Sequence, residues 1–265
     1  MTGLPLRLRL RRALLIALIL GLWAPAKIDW ELHIARRQNQ LRYQGVTLTR
    51  HLRDQLGQGL SIGVLSGMGN VVADFVWLEV TIAWENEEWF RMGGLINLCT
   101  ALQPRFITFW DMGAWQLAWN ASVAATKDVS LPNPLRREKA SRFWIDQGLG
   151  ILKRGIENNP ESWRLWANTG WLYEQRLGDY RTAAYYYGEA IKRPNCLTFY
   201  ERFPAIMYGK AGDDWDSYEA WKALWERLTP AQRAEPRHEG DRIEKEIRGL
   251  EQKLSIPKEK RVFPN

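Results

Sequence analysis

Between Trp166 and Pro194, small and aromatic side chains recur at helical intervals on both sides of a single turn, which commits this stretch to a pair of antiparallel helices. Trp166, Gly170 and Tyr173 stand at i, i+4 and i+7. Ala183, Tyr187 and Ala190 repeat that interval after the break Leu177-Gly178-Asp179-Tyr180. Gly170 and Ala183 are small where the two helices must approach closely, and Tyr173 and Tyr187 fill the space beside them. Gly178 suits the left-handed residue that ends a helix.

Weaker copies precede this unit. Met92, Ile96 and Cys99 with Pro104, and Gly148, Leu152 and Gly155 with Pro160, keep the second-helix spacing and a closing proline. Any amphipathic helix shows 3.6-type spacing, so the weight rests on the small residues and the prolines. The matching first helices run roughly over 70–88 and 105–127, with an insertion at 126–133 that leads into Leu131-Pro132-Asn133-Pro134. A last hairpin is expected over 197–228, with Ala220, Leu224 and Arg227 at the second-helix positions. One hairpin cannot cover its own apolar face, so at least about three must stack. The apolar residues recur at helical intervals and the breaks are Gly-Asp, Asn-Pro and Leu-Pro-Asn-Pro, a pattern that does not read as strands. The expected fold class is all-α, a short α-solenoid of about three to four hairpins over 70–230, with an irregular helical domain as the alternative. At 265 residues and 46% hydrophobic, the chain has enough material for a sizeable core.

The spacings W-x-x-x-G-x-x-Y and A-x-x-x-Y-x-x-A resemble the tetratricopeptide repeat (TPR) family. Relative to the family pattern one residue is inserted near Gly178, and Pro194 falls about one residue early. The segment Ala73-Asp74-Phe75-Val76-Trp77-Leu78, together with Leu102-Gln103-Pro104-Arg105-Phe106, Trp110 and Trp119-Asn120, is similar to a set of uncharacterised bacterial proteins that carry one N-terminal membrane segment and TPR-like repeats. That likeness covers much of 27–195 and implies an architecture but no activity. It also implies a basic residue four before Asp74, where this chain has Asn70. Asp74, inside an apolar helix, is expected to need a hydrogen-bonding partner.

The TPR resemblance implies that the first helix of each hairpin lines an inner groove. Carried over residue by residue, it assigns to that groove Trp77, Trp84 and Glu85 from the first unit, Asp111, Trp115 and Trp119 from the second, and Arg164, Asn168, Trp171 and Glu174 from the third. The chain holds fifteen tryptophans, so the groove would be aromatic with a few polar anchors. Such a surface suits peptides or helices, because indole offers a large contact area at low rotamer cost. The alternative is that most of these tryptophans are packing between repeats, the reading that fits Trp166.

The N-terminus carries a second pattern. Arg7, Arg9, Arg11 and Arg12 precede the apolar run from Ala13 to Trp23, followed by Ala24-Pro25-Ala26 and Lys27. This reads as an export segment, either a signal peptide cleaved after Ala26 or an uncleaved anchor whose flanking Arg12 and Lys27 snorkel. The arginines then stay in the cytoplasm and the remainder faces the periplasm. The domain organisation expected is a signal anchor or signal peptide over 1–26, a juxtamembrane helical connector over 27–69, the repeat domain over 70–230, and a charged C-terminal helix and tail over 231–265. In the connector Ile34, Leu41 and Leu48 lie seven apart, too few positions for a coiled coil. The glycines at 57, 59, 63, 67 and 69 match no phosphate-binding loop.

Charge is informative only by region. The net charge of +7 includes four arginines in the first twelve residues, and residues 27–60 hold six bases against three acids. From 61 to 230 the count is 18 bases against 20 acids, so the basic excess sits beside the membrane segment and argues for anionic headgroups rather than nucleic acid. The segment from Ala231 alternates nine bases with seven acids and reads as a solvated helix near Asp241–Leu254 with a frayed end, either a capping helix for the solenoid or a partner-binding tail. Asp213, Asp214 and Asp216 are expected to cap the last helix of the repeat domain.

Catalytic chemistry has little support. His33, His51 and His238 lie far apart, Glu85 and Glu88 read as a solvated helix face, and Cys99 and Cys196 are expected to be separate thiols. No cofactor or metal is expected. The preferred expectation is a non-enzymatic, membrane-tethered scaffold that holds a peptide or subunit of an envelope complex. The alternative is a carbohydrate-binding or cell-wall-processing protein, with Trp115, Trp119 and Trp171 stacked on sugar rings and Glu85 or Asp111 as an acid.

Overall fold

The computed structural model describes residues 67–264, and among them all regular structure is helical. The expected membrane segment (1–26) and nearly all of the connector (27–66) lie outside the described residues. Among the described residues no helix is long and apolar enough to cross a membrane. The chain divides after Leu78 into two units, and the described residues 67–78 belong to the first. Helix α1 (Gly69–Glu85) begins in the first. Within it Val72, Ala73 and Val76 are buried, whereas Asp74 is exposed. Asp74 therefore faces solvent, and the expected need for a buried partner does not arise, because water solvates the carboxylate.

The second unit is built from helices that pair with their neighbours in the chain. After α2 (Trp89–Leu102) comes α3 (Ile107–Trp115), which runs through a π-helical turn, Gln116–Ala121, into α4 (Ser122–Lys127). The long α5 (Pro134–Asn158) packs back along all three pieces. Next, α6 (Trp163–Leu172) passes through a second π-helical turn, Tyr173–Leu177, and packs on α7 (Tyr180–Ala190). A 3-10 turn, Thr198–Arg202, leads into α8 (Phe203–Ala211), which packs on α9 (Asp214–Arg227). Short α10 (Pro230–Arg233) precedes α11 (Gly240–Lys253). Pairs also meet in order: α5 touches α6, α7 touches α8 and α9 touches α11.

Local sequence accounts for the breaks. Asn133 accepts a hydrogen bond from the Leu135 amide and Pro134 stands at the first helical position, so α5 starts where both signals coincide. Gly178 adopts φ +63°, and Asp179 caps α7 by accepting from the Thr182 amide at 3.0 Å. Asp213 at the N-cap position of α9 and Asp214 and Asp216 in its first turn stand at the helix start as expected, although Asp213 makes no side-chain cap bond. Asp213 and Asp216 also pair with Arg181 of α7, and Asp214 pairs with Lys253 of α11. Acids at the start of α9 thus tie neighbouring helices together.

The helices approach most closely where the sequence placed small residues. A Cβ on Gly170 would lie 3.2 Å from the Ala183 carbonyl and the Tyr187 ring. A Cβ on Gly148 would lie 2.7 Å from Ala118 Cβ and 2.8 Å from the Ala114 carbonyl. Met92, Ile96, Cys99 and Leu152 are buried, as their second-helix spacing predicts. The two cysteines are both thiols, Cys99 buried and Cys196 half-buried.

One arrangement occurs twice. The Trp110 indole donates to the Pro104 carbonyl at 2.9 Å, and Asn159, just past the end of α5, donates to the same oxygen at 2.8 Å. The Trp166 indole likewise donates to the Pro160 carbonyl at 3.0 Å, and Arg193, just past α7, donates to it at 3.2 Å. Pro160, Trp166 and Trp171 repeat Pro104, Trp110 and Trp115 at one constant offset. In each hairpin a prolyl carbonyl before the first helix thus fastens the first helix to the end of the second.

The C-terminal helix is part of this packing. Ile243 and Ile247 are fully buried against Trp221, Leu224 and Leu228 of the α9 end. The segment beyond is held as well: Glu251, 1% exposed, accepts from the Val262 amide at 2.5 Å, and Phe263 packs edge-on against Trp225. A helix stands where one was expected, but it is packed rather than solvated. The end beyond it is not frayed, since Val262 brings Glu251 a donor.

Candidate functional site

Two consecutive first helices, α3 and α6, face each other across a narrow cleft. From α3 and its π turn come Asp111, Trp115 and Trp119, and from α6 come Asn168 and Trp171, with Ala114, Leu152 and Leu172 among the remaining lining residues. In a regular helix, positions four apart advance by about 40° at each step. The wider i→i+5 turn over Gln116–Ala121 takes up that drift and keeps Trp119 on the wall that holds Trp115.

The aromatic side is already organised. Trp119 and Trp171 stack with centroids 4.4 Å apart and an interplanar angle of 21°. The Arg176 guanidinium lies 5.0 Å from the Trp119 ring centroid and donates to the Ser122 hydroxyl at 2.8 Å. Burial depresses its pKa below the ordinary arginine value. Trp119 therefore has both a guanidinium and a second indole close to its ring, while Trp115 and Trp171 stay 38% and 37% exposed.

The polar end centres on Asp111. Its carboxylate accepts from Asn168 Nδ2, and Arg164 Nε lies 2.9 Å from its other oxygen. Burial pushes the Asp111 carboxyl above the usual carboxylate range, although Arg164 and Asn168 both pull it down. The desolvation of this group outweighs what two donors return. Arg164 itself is largely exposed, at 60%.

Six of the ten groove residues expected from the sequence therefore meet in one place: Asp111, Trp115, Trp119, Asn168 and Trp171 line the cleft, and Arg164 closes its polar end. Trp77 is half-buried in the first unit, and Trp84 and Glu85 are exposed at the end of α1. Glu174 has a different task. At 9% side-chain exposure it accepts from the Tyr187 hydroxyl at 3.0 Å and from Lys210 at 2.7 Å, linking α6 to α7 and α8. Burial and the adjacent Glu174 charge both raise the Tyr187 pKa.

Sequence reasoning missed Arg176, whose role depends on the π turn, and the aliphatic floor of Leu152 and Leu172. It also missed a larger cleft of about 850 Å³ near Trp89, Phe90, Val129, Phe143 and Trp144. There Phe90 is 78% exposed yet packs 4.9 Å from the Trp144 ring. Its residues come from the start of α2, the end of α4, the loop after it and α5, so no single periodicity announces it. Among the described residues no group of three or more His, Cys, Asp or Glu is placed to hold a metal ion. In comparisons with known proteins, no family model, no curated protein and no solved structure matches this chain.

Proposed function

We propose that this protein is a non-enzymatic, TPR-like scaffold whose hairpins stack as a short α-solenoid and whose cleft between α3 and α6 holds a peptide segment of another protein. One observation carries the reading: six residues that the TPR resemblance assigns to an inner groove converge on one partly exposed, indole-lined cleft. Partly exposed aromatic side chains beside a few fixed polar groups are what peptide-recognition grooves use. The arginine-flanked apolar run at residues 7–23 supports a tether in a bacterial inner membrane, with the repeats facing the periplasm or, after cleavage, released into it.

The geometry favours a peptide over a carbohydrate. Stacking on a sugar ring needs a free indole face, and Trp119 already has Trp171 on one side and Arg176 close to its ring.

The test is a photoreactive amino acid placed at Trp171 in the full-length protein in cells, with exposed Glu138 on α5 as the control position. The expected result is a discrete adduct with another protein from position 171 and none from 138. Adducts restricted to this chain in repeated trials would remove the scaffold reading, and glycan capture abolished by Trp115→Ala at unchanged helicity would replace it with the carbohydrate one.

A further inference from the structure

The cleft between α3 and α6 is small and chemically lopsided, and both properties limit what enters it. Its volume is about 100 Å³. That is well below the roughly 300 Å³ at which pockets for drug-sized ligands begin. It accommodates one side chain. Three indoles with Ala114, Leu152 and Leu172 suit an apolar stem, and the lining contains a single charged group, Asp111.

That carboxylate can accept more than it now does. Asn168 and Arg164 each occupy one of its oxygens, and a carboxylate offers about four acceptor sites. Burial still holds Asp111 above its ordinary range, so another cationic donor arriving through the cleft would offset part of its desolvation. Arg164 is exposed enough to leave without disturbing the core.

Resting on the peptide-groove reading above, we propose that the cleft reads one basic side chain of the bound peptide, a lysine or arginine. Its methylene stem lies along Trp115 and Trp171 and its charged head meets Asp111. Indoles attract cations, and long basic side chains bury their stems on apolar surface while the head keeps polar company. Arg164 is then a built-in competitor that neutralises Asp111 when the cleft is empty and yields to the guest.

The experiment uses the full-length chain in detergent micelles, labelled with 5-fluorotryptophan, with Trp115→Phe and Trp171→Phe assigning the two signals. It is titrated with N-acetyl-lysine methylamide and with the neutral N-acetyl-norleucine methylamide. The lysine compound is expected to shift both signals saturably and to bind about tenfold more tightly than the norleucine compound, the effect of one charge-assisted hydrogen bond in a partly wet site. Asp111→Asn removes that preference. Arg164→Ala strengthens lysine binding by roughly threefold to tenfold, because it deletes the competitor. The opposite signs exclude a merely structural role, since damage to the cleft would weaken binding in both variants.

Equal binding of the two compounds, a preference that survives Asp111→Asn, or weaker lysine binding in Arg164→Ala each overturns the basic-side-chain inference while leaving the peptide groove standing. Failure of both compounds to move either signal also overturns it, and the groove is then judged by the adduct from position 171 alone.

Discussion

Asp111 costs the fold stability, and the cost depends on pH. Its folded-state pKa lies above the unfolded value, so the folded protein binds this proton more tightly than the unfolded chain. The penalty is fully present above the folded pKa and fades as pH falls through it toward the ordinary value of about 4. Asp111→Asn should therefore melt at or above the parent temperature at pH 7, with the gap closing on acidification; a variant that melts lower at pH 7 and recovers in acid would reverse the sign. Glu189 is the opposite case, held below its usual range first by Lys192. Glycines make an equally sharp contrast. Gly148→Ala drives a methyl into Ala118 and the Ala114 carbonyl, and should cost about 1 to 3 kcal/mol. Gly188→Ala, in α7 with open space around it, should stabilise by about 0.5 to 1 kcal/mol. Urea titrations of the pair decide the matter, since equal shifts would contradict the close approach of α3 and α5. Cys196 supplies a chemical check: burial pushes its thiol up to about 11, so alkylation should be slow at pH 8 and accelerate only toward that value.

At the level of elements the two π turns matter most. The second, Tyr173–Leu177, stands just before Gly178. No interval in the sequence announces it. Only the fold shows one widened turn here, which sets Glu174 against Tyr187 and Lys210 and lays Arg176 near Trp119. Deleting Gln175, whose side chain is exposed, would let the helix continue with regular bonding and rotate the residues on either side of the cut by about 100° relative to each other. Glu174 would then lose its position relative to one or both partners. The deletion should cost more stability than Tyr187→Phe, which removes one hydrogen bond to a carboxylate worth about 1.5 to 3 kcal/mol. Urea titration of both variants is the measurement, and a deletion milder than Tyr187→Phe would show that the widened turn has no structural task.

For the whole molecule, the question is how the row of helix pairs ends. The last pair would expose Trp221, Leu224 and Leu228, and α11 covers them with Ile243 and Ile247. The segment after Pro257 then closes over Glu251 through the Val262 amide and over Trp225 through Phe263. Truncation after Pro257 leaves Glu251 without that donor and bares part of the Trp225 ring. It should destabilise the protein by about 2 to 4 kcal/mol, combining a lost bond to a charged group with lost apolar burial. Unchanged melting of the truncated chain would mean that the tail merely rests on the surface.

The sequence by itself determined the helix pairs, because Gly170 with Ala183 and Gly148 with Leu152 and Gly155 announce close helix approach through size and interval alone. Most of the cleft was named only through the TPR resemblance, which implies an inner face holding Asp111, Trp115, Trp119, Asn168 and Trp171. Tertiary structure decided the rest. Glu174 shares the periodicity of the groove set yet is taken up by Tyr187 and Lys210, and Asp214 reads as a cap yet pairs with Lys253. Burial of the last helix was decided there too, because a helix of alternating charges looks solvated until an uncovered neighbour supplies the surface for Ile243 and Ile247. Interval and size are properties of a chain segment, whereas the partner of a charge is set by whichever element the fold brings beside it.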